Sequence, residues 1–196
     1  RIKIGFIGAG YMGYGIAHNL LKNNFLLSVI AHKNREPINK LLNQGASEAK
    51  DYEELANFSD VIIMCVTNTP VANEIIKKIL PYLNSSTLVI DITTHHMNGS
   101  IQMQKILKLK NIRYVESPVM GGPVQAEMGV LGAIVGSSVE DFEDAKNILI
   151  NFCKDVFHFG DIGMGAKTKL VCNFLSLGTA TFVIETLKAA NNLNID

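Results

Sequence analysis

One six-residue stretch constrains this chain more than any other part of it. Gly8-Ala9-Gly10-Tyr11-Met12-Gly13 follows directly on the apolar run Ile2–Ile7 and opens a segment with helical periodicity through Ala17 and Leu20. In that setting each glycine answers a steric demand. Gly8 permits a tight turn, Gly10 lets a pyrophosphate approach the backbone, and Gly13 lets helix and strand pack closely. Backbone N–H groups and the positive end of the helix dipole then face the phosphates. Glycines also punctuate ordinary turns, so the spacing alone is a weak signal. The strand before it and the helix after it make this a dinucleotide-binding loop.

The same alternation continues along the chain. Ile2–Ile7, Leu27–Ile30, Val61–Val66, Thr87–Ile92, Ile112–Val115 and Leu131–Val135 are continuous apolar runs, as strands buried on both faces require. Met12–Lys22, Pro37–Gln44, Tyr52–Ala56, Val71–Leu80 and Gly99–Lys110 carry helical periodicity between them. This pattern predicts an α/β fold with a doubly wound, mainly parallel sheet and right-handed crossovers. A further helix is expected near Asp141–Asn151 and a last strand near Val156–Phe159. Gly160, Gly163 and Gly165 then read as a hinge, and one long helical segment runs from Ala166 to about Asn194. The expected division is a nucleotide-binding domain over 1–160, followed over 161–196 by a hinge and the start of an all-α second domain.

Composition narrows the function classes. With 18 Lys+Arg against 18 Asp+Glu the formal net charge is zero, which excludes a surface built to hold nucleic acid or an anionic membrane. Hydrophobic residues at 47% against 18% charged can build a core, unlike a disordered chain. At roughly 150 residues per domain, 196 residues make one domain with a surplus. Cys65, Cys153 and Cys172 lie far apart in apolar surroundings, with no metal-type spacing, and read as buried thiols of a reducing, cytoplasmic compartment. No charged and apolar leader precedes the first strand, and a start at Arg1 without Met suggests a trimmed N-terminus. The most membrane-like stretch, Leu170–Ile184, is interrupted by Asn173, Ser176, Thr179 and Thr181, so a buried helix is expected and no membrane partner.

The end of the second strand bears on cofactor choice. An NAD-selective site usually offers an Asp or Glu to the ribose 2′-hydroxyl about 20 residues after the glycine loop. Here the sequence reads Ala31-His32-Lys33-Asn34-Arg35, with no acid. Lys33 and Arg35 would suit a 2′-phosphate, which favours NADP over NAD, although a solvated basic turn would read the same way.

Four segments in order bear a family resemblance. The loop's G-x-G-x-M-G form, followed by Ala17, Asn19, Leu20 and Leu21, resembles the β-hydroxyacid dehydrogenases, whose nucleotide-binding fold is Rossmann-type. Asp91-Ile92-Thr93-Thr94 is similar to that family's D-x-S-T segment, which implies that Thr94 lies by the nicotinamide. Ser117-Pro118-Val119-Met120-Gly121-Gly122, with Ala126 and Gly129, resembles the substrate-binding A-P-V-S-G-G signature. Gly163-Met164-Gly165 through Lys169 to Asn173 resembles G-x-G-x-x-x-K-x-x-x-N, which implies that Lys169 is catalytic and Asn173 binds substrate. Thr67-Asn68 replace a Leu-Pro-type pair that touches the cofactor in that family.

Chemistry gives the lysine a role. Lys169 and Asn173 are four residues apart and project from one helix face. Carbonyl reduction needs a hydride and a proton for the developing alkoxide, which an ammonium of lowered pKa can supply. Lys167 reads as a surface lysine, and His95 and His96 as cleft-rim residues without metal-ligand spacing. Met120 stands where the family has Ser and removes a hydroxyl from the substrate pocket, while Gly121 and Gly122 can still offer N–H groups to a carboxylate. The resemblance implies an NADP-dependent oxidoreductase acting on a small carboxylate-bearing carbonyl compound, a short 3-hydroxy acid or its semialdehyde, in a homo-oligomer. A catalytically silent dinucleotide-binding scaffold and an imine-type reductase are the alternatives. A phosphogluconate-type substrate is disfavoured, since Leu170-Val171-Cys172-Asn173 lacks the His-Asn pair of those relatives. The apolar helix after Ala166 should not stand alone in water, so either the chain continues into a longer protein or another chain covers it.

Overall fold

At the centre of the fold, β1 (Lys3–Ile7) pairs in parallel with β2 (Leu26–Ile30) on one side and β4 (Val61–Met64) on the other. The computed structural model describes residues 1–96 and 98–195. With β3 (Ser47–Ala49), β5 (Leu88–Asp91) and β6 (Arg113–Glu116) these strands form a six-stranded parallel sheet in the order β3-β2-β1-β4-β5-β6. This is the doubly wound dinucleotide-binding order, with its switch point beside β1. The helices α1 (Tyr11–Lys22), α2 (Glu36–Leu42), α3 (Tyr52–Phe58), α4 (Thr69–Ile79) and α5 (Gly99–Lys108) make the crossovers.

Why the strands lack polar alternation is plain in the packing. Val61, Ile63, Leu88 and Ile90 join Phe6, Ile16 and Leu20 in one core, while Ile62, Met64 and Val89 join Leu55, Ile76 and Met103 in another on the opposite face. Both faces are covered, so the central strands are apolar at most positions.

The expected single sheet is in fact two. β7 (Val119–Met120), β8 (Leu131–Val135) and β9 (Cys153–His158) form a separate sheet in that order, with β7 antiparallel to β8 and β8 parallel to β9. The physical reason lies at Ser117-Pro118: proline lacks an N–H for a ladder, and two residues cannot make the long crossover that another parallel strand needs. A bridge between Glu116 and Gly136 ties the two sheets. The short helix α6 (Pro123–Met128) packs on α1, where Asn19 donates to the carbonyls of Ala126 and Glu127, and α7 (Val139–Leu149) lies between β8 and β9 in sequence.

α8 (Met164–Asn192) spans 29 residues. Only Gly165, Ala166 and Lys169 of it are buried, against β8, so the expected buried helix is buried only over its first turns. Phe174 is 84% exposed and Phe182 73%. By length and composition α8 is long and apolar enough to cross a membrane, a test that core helices also meet.

The sheet registers lead to the site. Ala49, Ile30, Ile7, Met64, Asp91 and Glu116 stand side by side in one lateral row. All these strands run in parallel, so the segment after each residue of that row emerges at one edge, where open α/β sheets bind ligands.

Candidate active site

Beyond Ile7 the glycine loop turns as the sequence requires. Gly8 has φ +98°, and a Cβ there would strike the Cys65 carbonyl. A Cβ on Gly13 would strike the Gly8 carbonyl, so the third glycine seats α1 against the loop. Gly10, by contrast, has nothing within 4 Å of where its Cβ would lie, so open space borders the backbone there. It caps α1, whose first-turn N–H groups have no carbonyl a turn earlier to take their hydrogens. The loop thus fits a pyrophosphate. Tyr11 is 91% exposed at the start of α1, and Met12 packs on the core.

A cleft of about 380 Å³ runs from Gly8–Gly10 past the ends of β2 and β4. His32, Asn34, Tyr52, Thr67 and Lys78 are among the residues around it. Lys33 and Arg35 are exposed and do not line it. The Arg35 guanidinium instead makes a bidentate pair with Glu48, at 2.9 and 2.8 Å, which raises the arginine's pKa and lowers that of the glutamate. Asn68 caps α4, its Oδ1 accepting from Val71 N–H at 3.1 Å, while Thr67 faces the cleft. Burial, with the Asp91 charge adding, pushes the Cys65 thiol up to about 12, so it stays protonated and unreactive at neutral pH.

At the end of β5 a buried polar cluster stands where the sequence suggested a cleft rim. Asp91 Oδ2 lies 2.6 Å from His95 Nε2 and accepts from the Tyr114 hydroxyl at 3.2 Å, while Oδ1 accepts from Thr93 N–H at 2.9 Å. With Nε2–H donating to the carboxylate, His95 Nδ1 accepts from the Thr69 hydroxyl at 3.0 Å, and Thr69 Oγ1 takes His96 N–H at 3.4 Å. Thr93 Oγ1 in turn accepts from Val66 N–H at 3.2 Å. The cluster ties the segment after β4, with Thr67, to the segment after β5, with exposed Thr94. Tyr114 is held well above its ordinary pKa by burial first and by Asp91 next. His95 is therefore internal, and His96 alone of the pair is exposed.

Past Glu116 the chain brings Met120 to Lys169. Lys169 Nζ donates to Met120 Sδ at 3.1 Å, a contact between two distant segments expected to share a pocket. Lys169 is only 9% exposed, and burial lowers its pKa, opposed by the nearby Cys172 thiol. Asn173, half-buried, follows one turn later on α8. Gly121 adopts φ +116°, open to glycine, and Gly122 N–H donates to Gln125 Oε1 at 3.0 Å, so it is already engaged.

Sequence reasoning passed over Glu116, took Asp91 only as the start of the D-x-S-T segment and left His95 on the cleft rim. The signal for the two acids was a charged residue closing a buried strand, since Asp91 and Glu116 end β5 and β6 and are fully buried.

Comparison with known proteins adds a family. Residues 3–160 match the family model for the NAD binding domain of 6-phosphogluconate dehydrogenase. A 2-(hydroxymethyl)glutarate dehydrogenase of Eubacterium barkeri is 33% identical over 189 residues, covering 91% of this chain and 62% of that protein. A mitochondrial 3-hydroxyisobutyrate dehydrogenase of Drosophila melanogaster is 29% identical over 195 residues, covering 99% of the chain and 60% of that protein. A solved 3-hydroxyisobutyrate dehydrogenase of Mycobacterium tuberculosis superposes with a TM-score of 0.92 at 20% identity, covering 100% of this chain and 67% of that one, a likeness of fold. The chain thus spans about three fifths of the length of the curated relatives it matches.

Proposed function

Because the chain belongs to the family of the 6-phosphogluconate dehydrogenase NAD-binding domain, and within it to the β-hydroxyacid dehydrogenases, we propose that it is an oxidoreductase working between nicotinamide and a short 3-hydroxy acid or its semialdehyde. The observation that carries this is Lys169: a buried lysine of lowered pKa, on the helix whose first turn is bound by Glu116 at the end of β6 and against Met120 of the substrate-type motif.

A bound nicotinamide dinucleotide would supply or accept the hydride. Gly8, Gly10 and Gly13, with the first turn of α1, would hold its phosphates, and Thr67 and Thr94 would flank the reacting end. Lys169 Nζ would give a proton to the substrate oxygen as it becomes an alkoxide. The thioether it now contacts is a weak acceptor, which a carbonyl oxygen readily displaces. Asn173 would orient the substrate without titrating, and Met120 would give the pocket an apolar wall. Gly121 and Gly122 would border the substrate carboxylate, with the Gly122 N–H released only if Gln125 turns away.

NADP is the favoured cofactor. The end of β2 has no acid for a ribose 2′-hydroxyl, and among the described residues Lys33 makes no ion pair. Arg35 is held by Glu48, but an exposed, solvent-screened pair is weak, so a phosphate can compete for the guanidinium. Residues 1–160 are read as the nucleotide-binding domain and 161–196 as the hinge and first helix of a second, helical domain, within a cytoplasmic homo-oligomer. Assay of small semialdehydes and 3-hydroxy acids with NADPH and NADH in parallel tests the proposal. Turnover of a carboxylate-bearing semialdehyde with NADPH preferred is expected, and turnover of none, or a clear NADH preference, contradicts it in whole or in the cofactor.

A further inference from the structure

Glu116 closes β6 with a fully buried side chain. Its Oε1 accepts from Gly163 N–H at 2.6 Å and from Gly165 N–H at 2.8 Å. Those two residues begin α8. A buried carboxyl group must find donors, and here the backbone is built around it. A Cβ on Gly136 would collide with the carboxyl, and one on Gly165 would come within 3.0 Å of Oε1 and 2.9 Å of the Ile134 carbonyl. Gly163 takes φ +98°, where side chains are strained.

α8 supplies no cap of its own. Its N-cap is Gly163 and its first turn holds no acidic residue, so a side chain 47 residues earlier satisfies N–H groups that the helix leaves open. A carboxyl group there also suits the positive end of the dipole. From Phe174 to Ala189 α8 is exposed, and β8 is the element it chiefly packs against. Lys169 lies four residues past Gly165, one turn on, so its own N–H donates to the Gly165 carbonyl in regular helix. What fixes Gly165 therefore fixes Lys169.

We propose that Glu116 is a positioning residue that grips the first turn of α8 and so sets how deeply Lys169 sits against Met120. This rests on the role given to Lys169 above. The groups facing its ammonium are the Met120 thioether and, from its own helix, the Cys172 thiol; Glu116 acts on it through the backbone. Without the grip, α8 would shift outward and Lys169 would become solvated like an ordinary lysine.

The test is the pH midpoint of Lys169 acetylation by acetic anhydride in the full-length protein, read by mass spectrometry with exposed Lys167 as internal reference. In the wild type the Lys169 midpoint should lie below the ordinary lysine value. Glu116→Ala should raise it by about half a pH unit or more toward an ordinary lysine. It should also speed amide exchange at Gly163 and Gly165 by about tenfold, the loss of roughly one hydrogen bond. Glu116→Gln keeps an oxygen for both N–H groups and should hold the wild-type midpoint. Should Glu116→Ala fail to fold, Gly165→Ala, which pushes the helix start off the carboxyl, should raise the midpoint likewise. An unchanged midpoint in the folded variant, or an equal rise in Glu116→Gln, overturns the proposal. Labelling needs no turnover, so an active Lys169→Ala enzyme would remove the catalytic assignment while the midpoints still report on the grip.

Discussion

His95→Ala would strip the buried Asp91 carboxylate of its shortest hydrogen bond, 2.6 Å to Nε2. Taking a donor from a buried carboxylate costs about 1.5–3 kcal/mol, the worth of a hydrogen bond to a charged group. Two donors remain, Thr93 N–H at 2.9 Å and the Tyr114 hydroxyl at 3.2 Å, which places the expected loss at about 2 kcal/mol. For a domain of this size each kcal/mol moves Tm by about 2–4 °C, so Tm should fall by roughly 4–8 °C. The same substitution frees the Thr69 hydroxyl from Nδ1 and loosens the segments after β4 and β5, so NADPH affinity should fall as well. Urea unfolding of His95→Ala, Asp91→Asn and the double variant gives the coupling energy, expected to exceed about 1 kcal/mol. A coupling below about 0.5 kcal/mol would refute the view that this cluster acts as a unit joining the two segments.

Other substitutions test other parts. Lys169→Met should be more stable than the wild type near neutrality, because a lysine with a lowered folded pKa burdens the folded state while charged. Above its folded pKa the native protein binds fewer protons than the unfolded chain, so wild-type stability should rise with pH and the gap close toward about 10.5, read by urea midpoints across pH. Asn19→Leu leaves the Ala126 and Glu127 carbonyls without their donor and should cost about 1–3 kcal/mol in denaturant unfolding. Gly13→Ala should weaken NADPH binding by about tenfold or more in calorimetric titration, since its Cβ forces the helix start off the phosphate cradle. Glu48→Gln releases Arg35 and should raise the preference for NADPH over NADH in competitive binding.

Where burial was two-sided the strands were easy to find, because a run such as Val61–Met64 is apolar at every position. β3 escaped notice because Ser47–Ala49 is three residues at the polar outer edge, and β7 because it has only two. α6, six residues that begin with a proline, is too short for a helical period to declare itself. That Lys169 and Met120 serve one substrate was implied by the family resemblance of their two motifs, whereas their contact is a fact of the fold. Arg35's engagement with Glu48 was not, because the pairing of β2 with β3 that brings them together is a tertiary fact. Nor could spacing show that Glu116 and Gly163, far apart in the chain, meet.

The central claim is that Lys169 protonates the substrate oxygen in an NADP-dependent reduction. Its most direct measurement is the rate of NADPH oxidation with the best-accepted semialdehyde, compared between the wild type and Lys169→Ala with NADPH binding measured alongside. A fall in kcat of about 10²-fold or more with the NADPH Kd unchanged is predicted. Equal kcat in the two proteins would contradict it.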